Sequence, residues 1–394
     1  VALRQPFRLR TDRRQAQLRI IATTDLHFQL MSWDYLADRP SPGTGLARAA
    51  ALIRALRAAV PNTLLVDNGD FLQGSPLSDW VIESRERGDT GIHPMIGAMN
   101  ALGYDAGTLG NHEFNFGLAF LTDALSRAAF PIVSANILRR DGQTYVAPTV
   151  LLDRTITDGR GQHAPIRIGV IGLAPPQITQ WDGVELDGAI TTDDIVVTAA
   201  ARVPALRAAG ADIVVALAHT GIGPDSHVTG MENAAVPLAA IPGIDAIIAG
   251  HTHQLFPGPD VAPTAAVDPA AGTLHGVPAV MPGFHGSHVG VIDLLIEQAD
   301  GHWRVLDHAA RVIPVAAAPA GPPGPDPFLD ALAAVPHRSL LADIRREIGQ
   351  TRVAMHGFFS LVAPDLTLQI VADAQRDRAR ALLRGRGEHG PDDD

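Results

Sequence analysis

The 394-residue chain contains no cysteine, and that one absence removes disulfide scaffolds, thiolate metal sites and cysteine nucleophiles together. It leaves the compartment open, since a cysteine-free chain is at home in oxidising or reducing surroundings. Lysine is absent too: all 31 basic residues are arginine, which excludes a Walker-type phosphate loop and a Schiff-base lysine. With 42 acidic residues the formal net charge is −11, and only 5% of residues are aromatic. A broad binder of duplex nucleic acid needs the opposite charge balance, and no basic, aromatic stripe marks a nuclease surface. No apolar run reaches about 18 residues, so no membrane-spanning helix is expected. The chain opens at Val1 with an arginine-rich stretch, so any export signal is expected to have been removed already.

What the chain does have is ample apolar material, 46% of residues, arranged as alternating short runs and helical patterns. Residues 18–23 (LRIIAT), 63–67 (TLLVD), 166–172 (IRIGVIG), 213–218 (IVVALA) and 244–249 (IDAIIA) read as buried strands. Each is rich in β-branched residues and ends at a polar or glycine turn. Helical stretches lie between them at 46–59, 118–128 and 194–209, the last following the caps Thr191 to Asp193. Such alternation predicts an α/β fold, a two-sheet sandwich flanked by helices. Residues 276–314 alternate more strictly and predict two or three neighbouring strands that complete the second sheet. Residues 316–327 are a Pro/Gly/Ala-rich linker, and 328–349 is helix-compatible. The tail from 350 has a strand-like start and a helix ending near Arg384, then closes in the charged, glycine-rich GRGEHGPDDD. The expected division is residues 1–315, 316–349 and 350–394.

Five segments place His, Asp or Asn immediately after a predicted strand: Asp25-Leu-His27, Gly69-Asp70, Gly110-Asn111-His112-Glu113, His219, and Gly250-His251-Thr252-His253. Ligands of α/β sheets bind in the crevice beyond the carboxyl ends of the strands, so distant segments can converge there. Imidazoles, carboxylates and a carboxamide without thiolate suit divalent Mn, Fe, Co or Zn better than Ca or Mg. Asp25 and His27, two residues apart, can reach one ion. His251 and His253 share that spacing, but they follow Gly250 in a turn that can aim them at neighbouring ions. About seven ligands exceed what one zinc site takes. The pattern therefore predicts two metals bridged by a carboxylate such as Asp70, an arrangement suited to phosphate ester hydrolysis.

The ordered set DLH, NGDFLQG, GNHEFN, AHTG and GHTH resembles the calcineurin-like metallophosphoesterase superfamily, and longer strings such as LVDNGDFLQGSPLSDW, PPQITQWD and GIDAIIAGHTH are similar to its nucleotidase branch. The resemblance covers about residues 17–375 and is most pronounced to the members that act on 2′,3′-cyclic nucleotides. It implies a four-layer α-β-β-α sandwich. It also implies that Asp25, His27 and His253 hold one metal, that Asn111, His219 and His251 hold the second, and that Asp70 bridges them. His112 is then no ligand but the group that protonates the leaving ribose oxygen or stabilises the transition state. Glu113 orients or tunes His112, or caps the next helix. The implied activity opens nucleoside 2′,3′-cyclic phosphates at the 2′ ester and then dephosphorylates the 3′-nucleotide. The implied setting is a periplasmic monomer whose partner is a small nucleotide, with no membrane and no duplex nucleic acid.

Two departures qualify the resemblance. Relatives acting on 5′-nucleotides and sugar nucleotides usually carry aspartate three residues beyond the catalytic histidine, where this chain has Asn115. That favours the cyclic and 3′ substrates over a 5′-nucleotidase or sugar-nucleotide hydrolase. Family members normally continue into a C-terminal nucleotide-binding domain, and residues 350–394 read as its incomplete beginning. Base stacking is worth ~1–3 kcal/mol, so a chain without that platform is expected to discriminate poorly among substrates. An inactive binding module is the rival from another class. His93, His163, His227, His275, His302, His308, His337, His356 and His389 are read as surface or structural residues. His285 and His288 are candidates for the cleft mouth, and Trp33, Tyr35, Trp80 and Trp181 for packing.

Overall fold

The computed structural model describes residues 3, 6–317 and 326–385. Most of the expected linker, the closing GRGEHGPDDD after its first glycine, and His389 lie outside them. The chain divides into two units, Val1–Ala342 and Asp343–Asp394.

The first unit is built on eleven principal strands: β1 Gln15–Thr23, β2 Thr63–Asp67, β3 Ala106–Thr108, β4 Ile132–Val133, β5 Thr149–Thr157, β6 His163–Leu173, β7 Ile213–Ala218, β8 Ala246–Ile248, β9 Val277–Pro282, β10 His288–Ala299 and β11 His302–Pro314. One sheet runs β11-β10-β1-β2-β3-β4, with β1 to β4 parallel. In the other, β9-β8-β7-β6 are parallel and β5 pairs antiparallel to β6. Strand alternation splits the apolar residues between two faces. Leu18, Ile20, Leu64 and Val66 meet Ile168, Val170, Val215 and Leu217 in the interior between the sheets. Ile21 and Leu65 turn outward to helices Leu46–Ala58 and Pro94–Leu102, while Ile171, Ala216 and Ile247 pack against helix Ile195–Ala208. The result is the four-layer sandwich. Asp194 caps that last helix by accepting from the Val197 N–H at 2.9 Å.

One expectation needs correcting. Of the strands in 276–314, only β9 joins the second sheet; β10 and β11 extend the first. β10 pairs with β1 from Gln15↔Glu297 to Ala22↔Gly290, and the Asp300-Gly301 turn, both residues at positive φ, folds β11 back on β10. A fully buried Arg19–Asp293 pair, 2.7 Å apart, ties β1 to β10, and Gln17 also donates to Asp293. Helix Pro327–Ile344 follows, and its Leu329, Ala333, Leu340 and Leu341 enter the core beneath the first sheet.

The described part of the second unit contains helix Leu366–Gly385 and no strand. The strand expected from residue 350 is replaced by turns, with Ser360 N–H donating to Gly357 and Val362 N–H to Phe359. A single strand has no ladder to satisfy its backbone, whereas a turn supplies its own partners.

Candidate metal centre

All five chemical segments sit at the carboxyl ends of parallel strands. Asp25 and His27 follow β1, Asp70 follows β2, Asn111 and His112 follow β3, His219 follows β7, and His251 and His253 follow β8. The chain turns sharply there: Asp25, His27, Asp70, His251 and His253 have φ of 50°, 47°, 58°, 71° and 59°. Left-handed non-glycine residues of this kind persist only where surroundings hold them, at a cost of order 1–3 kcal/mol each. Here Asp25 N–H donates to Gly69, His27 N–H to the Asp70 carbonyl at 2.7 Å, and His251 N–H to the Asp25 carboxylate at 3.1 Å. The glycines of GNHE and GHTH permit this crowding. A Cβ on Gly110 would lie 2.2 Å from Asp70 Oδ1, and one on Gly250 2.4 Å from Thr24 Oγ1.

Ligand atoms of Asp25, His27 and His253 all lie within 4.8 Å of one another, as do those of Asp70, His219 and His251. His27 Nε2 faces His253 Nε2 at 2.9 Å, and Asp25 Oδ1 is 3.4 Å from the latter. Asp70 Oδ2 is 3.0 Å from His219 Nε2. Asp70 also forms a third group with His27 and His112, so it stands between the two histidine pairs. Asn111 directly precedes His112, and its side-chain oxygen is buried without a partner. Six of the seven expected ligands thus fall into the two groups, with Asn111 on the adjoining loop.

The residues fit a pair of cations. His27 Nδ1 meets the Gln73 carbonyl at 2.9 Å and His219 Nδ1 meets the Asn68 carbonyl at 2.7 Å. A carbonyl only accepts, so each Nδ1 carries a proton and each Nε2 faces the cleft. His251 is backed through Nε2 by Glu232 Oε1 at 2.7 Å, which leaves Nδ1 as its free donor atom. Two imidazole nitrogens 2.9 Å apart and the orphaned Asn111 amide oxygen are groups that a cation would satisfy. Burial disfavours a charge on His219, but Asp70 and Asp25 outweigh it and push the imidazole up to about 10. Burial likewise opposes ionisation of Asp25 and Asp70, and neighbouring histidines bring both below the usual carboxylate range.

His112 sits at the edge of this cluster, its ring 5.0 Å from that of His27. Its Nδ1 meets Asn115 Oδ1 at 2.6 Å, and Asn115 Nδ2 donates to Asp182 Oδ1 at 2.7 Å. Glu113 was expected to orient His112 or to cap the next helix, and its carboxylate does neither. The fully buried Glu113 carboxylate accepts backbone N–H groups of Asp70, Phe71, Leu72 and Gly110 at 2.7 to 3.1 Å, fixing the loop that carries Asp70. Asp182, Glu232 and Asn68 were not singled out in the sequence. Asp182 lies inside the quoted PPQITQWD string, whereas Glu232 in GMENAA follows no strand and carries no signal of its own.

His285 lines a cavity of about 340 Å³ beside the first ligand group, with Trp33, Tyr35 and Phe284. Phe284 stacks on His253 at 4.6 Å and Trp181 on His251 at 5.6 Å, so two partly exposed aromatic rings back candidate ligand histidines. His93 is structural, accepting the Met95 N–H at the start of its helix.

A family model described as calcineurin-like phosphoesterase matches residues 18–255. The chain is 42% identical over 366 residues to the trifunctional nucleotide phosphoesterase protein YfkN of Bacillus subtilis, covering 92% of this chain and 25% of that protein. It is 41% identical over 371 residues to the 2′,3′-cyclic-nucleotide 2′-phosphodiesterase/3′-nucleotidase of Salmonella typhimurium, covering 93% and 57% respectively. The chain therefore spans less than two thirds of the length of these curated relatives. The crystal structure of the calcineurin-like phosphoesterase YfkN from Bacillus subtilis matches at TM-score 0.80 and 42% identity, over 84% of this chain and 100% of that one.

Proposed function

The chain belongs to the calcineurin-like phosphoesterase family, and on that premise we propose that it hydrolyses nucleoside 2′,3′-cyclic phosphates and then the 3′-nucleotides they yield. The observation that carries this reading is Asp70, shared between a ligand group with His27 and His112 and another with His219 and His251. A carboxylate between two imidazole groups is the arrangement that two divalent cations use. Relatives named for this pair of activities match more than nine-tenths of the chain at about 40% identity, which supports the substrate assignment. Asn115 beside His112 supports it over the 5′ alternative.

Asp25, His27 and His253 would hold one cation, Asn111, His219 and His251 the other, and Asp70 both. When bound, such a pair lowers the pKa of water and neutralises charge on the phosphoryl oxygens. The nitrogen-rich donor set suits Mn, Fe, Co or Zn. His112, with Nδ1 turned to Asn115, has Nε2 to hold a proton for the departing oxygen. As the bond from phosphorus to the water oxygen forms and that water gives a proton to solvent, the bond to ribose O2′ breaks and O2′ takes the proton from His112 Nε2. The same displacement at O3′ releases phosphate. We infer a periplasmic monomer, testable by cell fractionation and sedimentation; no described helix is long and apolar enough to cross a membrane.

The test is metal stoichiometry of the purified chain combined with hydrolysis of 2′,3′-cyclic AMP, 3′-AMP and 5′-AMP. Two bound ions with preference for the first two substrates is the expected result. Faster release from 5′-AMP would replace the reading with a 5′-nucleotidase, and a chain that retains no metal would point to a binding module.

A further inference from the structure

We propose that Asp182 is a positioning residue for the phosphoester chemistry, acting through Asn115 to set the orientation and tautomer of His112. The inference rests on the role given to His112 above and extends it to residues outside the ligand set.

A primary amide presents two ends of nearly identical shape and opposite hydrogen-bonding sense. Which end of Asn115 faces His112 is therefore decided by the neighbour on its other side. That neighbour is Asp182, only 6% exposed; burial pushes its pKa up, and the Asn115 N–H pulls the other way by favouring the carboxylate, which only accepts. It takes the Asn115 Nδ2–H at 2.7 Å, and this turns Oδ1 toward His112 Nδ1 at 2.6 Å. An oxygen there requires the proton on Nδ1 and keeps Nε2 directed at the cleft. The reversed amide would set an N–H against Nδ1, forcing the neutral ring into the other tautomer and removing the acceptor that steadies its cation. An aspartate at 115 would need no such orienter, since both ends of a carboxylate accept. The Asn115–Asp182 pair does in two residues what one carboxylate can do alone.

Asp182 is delivered by a segment that already leans on the site. It lies between two short helical turns, Ile178–Trp181 and Gly183–Leu186, and the preceding Trp181 ring stacks on His251 at 23°. Contact with the ligand histidine and with the His112 chain thus comes from adjacent residues.

The experiment is a set of variants in the full chain, assayed on 3′-AMP with metal content measured on each. Asp182→Ala is expected to lower kcat by roughly 10- to 100-fold, part of what a general acid contributes, with KM and metal content unchanged. Asp182→Asn presents an amide that can accept from Asn115 or donate to it, so it no longer fixes the Asn115 amide and is expected to turn over more slowly than the parent. Asn115→Asp alone should be impaired, because two carboxylates would then meet at hydrogen-bond distance. The double variant Asp182→Ala/Asn115→Asp should regain most of the lost kcat. The proposal is overturned if the double variant stays as slow as Asp182→Ala, or if Asp182→Asn turns over like the parent. His112→Ala separates the two readings. If it turns over like the parent, the role of His112 falls and this inference with it; if it is impaired while Asp182→Ala is not, only this inference falls.

Discussion

Two histidines of this molecule are equally buried and electrostatically opposite. His93, 1% exposed, lies among apolar side chains and rings, 4.6 Å from Phe28, and burial pushes it down to about 3. His219, with no exposure, stands 3.0 Å from Asp70 and 3.8 Å from Asp25; burial opposes its charge, yet the carboxylates push it up to about 10. Depth is the same in both places, so it is the neighbours that make one region inert and the other a trap for positive charge. The helix-side core and the cleft are chemically distinct although both lie close to the first sheet.

The sharpest way to break this contrast is to remove Asp70, the carboxylate that stands between the two candidate ligand groups. Asp70→Asn is expected to lose both cations and to lower turnover on the order of 10³-fold or more, read by elemental analysis and phosphate release. Retention of both ions would show that Asp70 does not bridge. His112→Ala comes next, with a fall of roughly 10²-fold in kcat and metal content preserved. Its ring nitrogen also lies in a group with His27 and Asp70, so loss of a cation in this variant would make it a ligand instead. Smaller again is Glu232→Gln, which weakens the support behind His251; roughly tenfold weaker binding of one cation is expected, the other being unaffected. Equal weakening of both would mean that the two groups are not separable.

The smallest effect belongs to His93. Its folded pKa lies below its unfolded value of 6.5, so the unfolded chain binds the extra proton first. The stability it lends is present above about pH 6.5 and is lost progressively as pH falls toward 3. His93→Asn keeps a cap for Met95 and should flatten the fall in melting temperature between pH 7 and pH 5. An unchanged slope would show that His93 is not what makes that core acid-sensitive.

Much of the candidate ligand set was legible because four of the five apolar runs lead into a His, Asp or Asn, and a buried parallel strand has to deliver its last residue to a crevice. The 213–218 and 63–67 runs coincide with β7 and β2 for the same reason: β-branched residues bounded by polar turns leave little choice of limits. The sheet to which 288–314 belongs was not legible. Alternation says that a strand has two faces, but the partner is chosen by a register with β1 that includes a buried Arg19–Asp293 pair 274 residues apart. Glu113 was misassigned because adjacency to His112 suggested a shared task, while its carboxylate turns to the Asp70 loop. The contact between Asn115 and Asp182, 67 residues apart, and that of Glu232 with His251 carry no local pattern.

The amino-acid order by itself determined the period-two and helical runs, and so the layered α/β class, together with the inventory of oxygen and nitrogen donors at strand ends; these follow from local sterics and the burial of apolar faces. Only the tertiary structure decided which donors share a group, which nitrogens of His27, His219 and His251 face the cleft, and which carboxylate restrains which neighbour. Those depend on contacts of a few ångströms between segments up to hundreds of residues apart, where hydrogen-bond direction and charge act through space rather than along the chain.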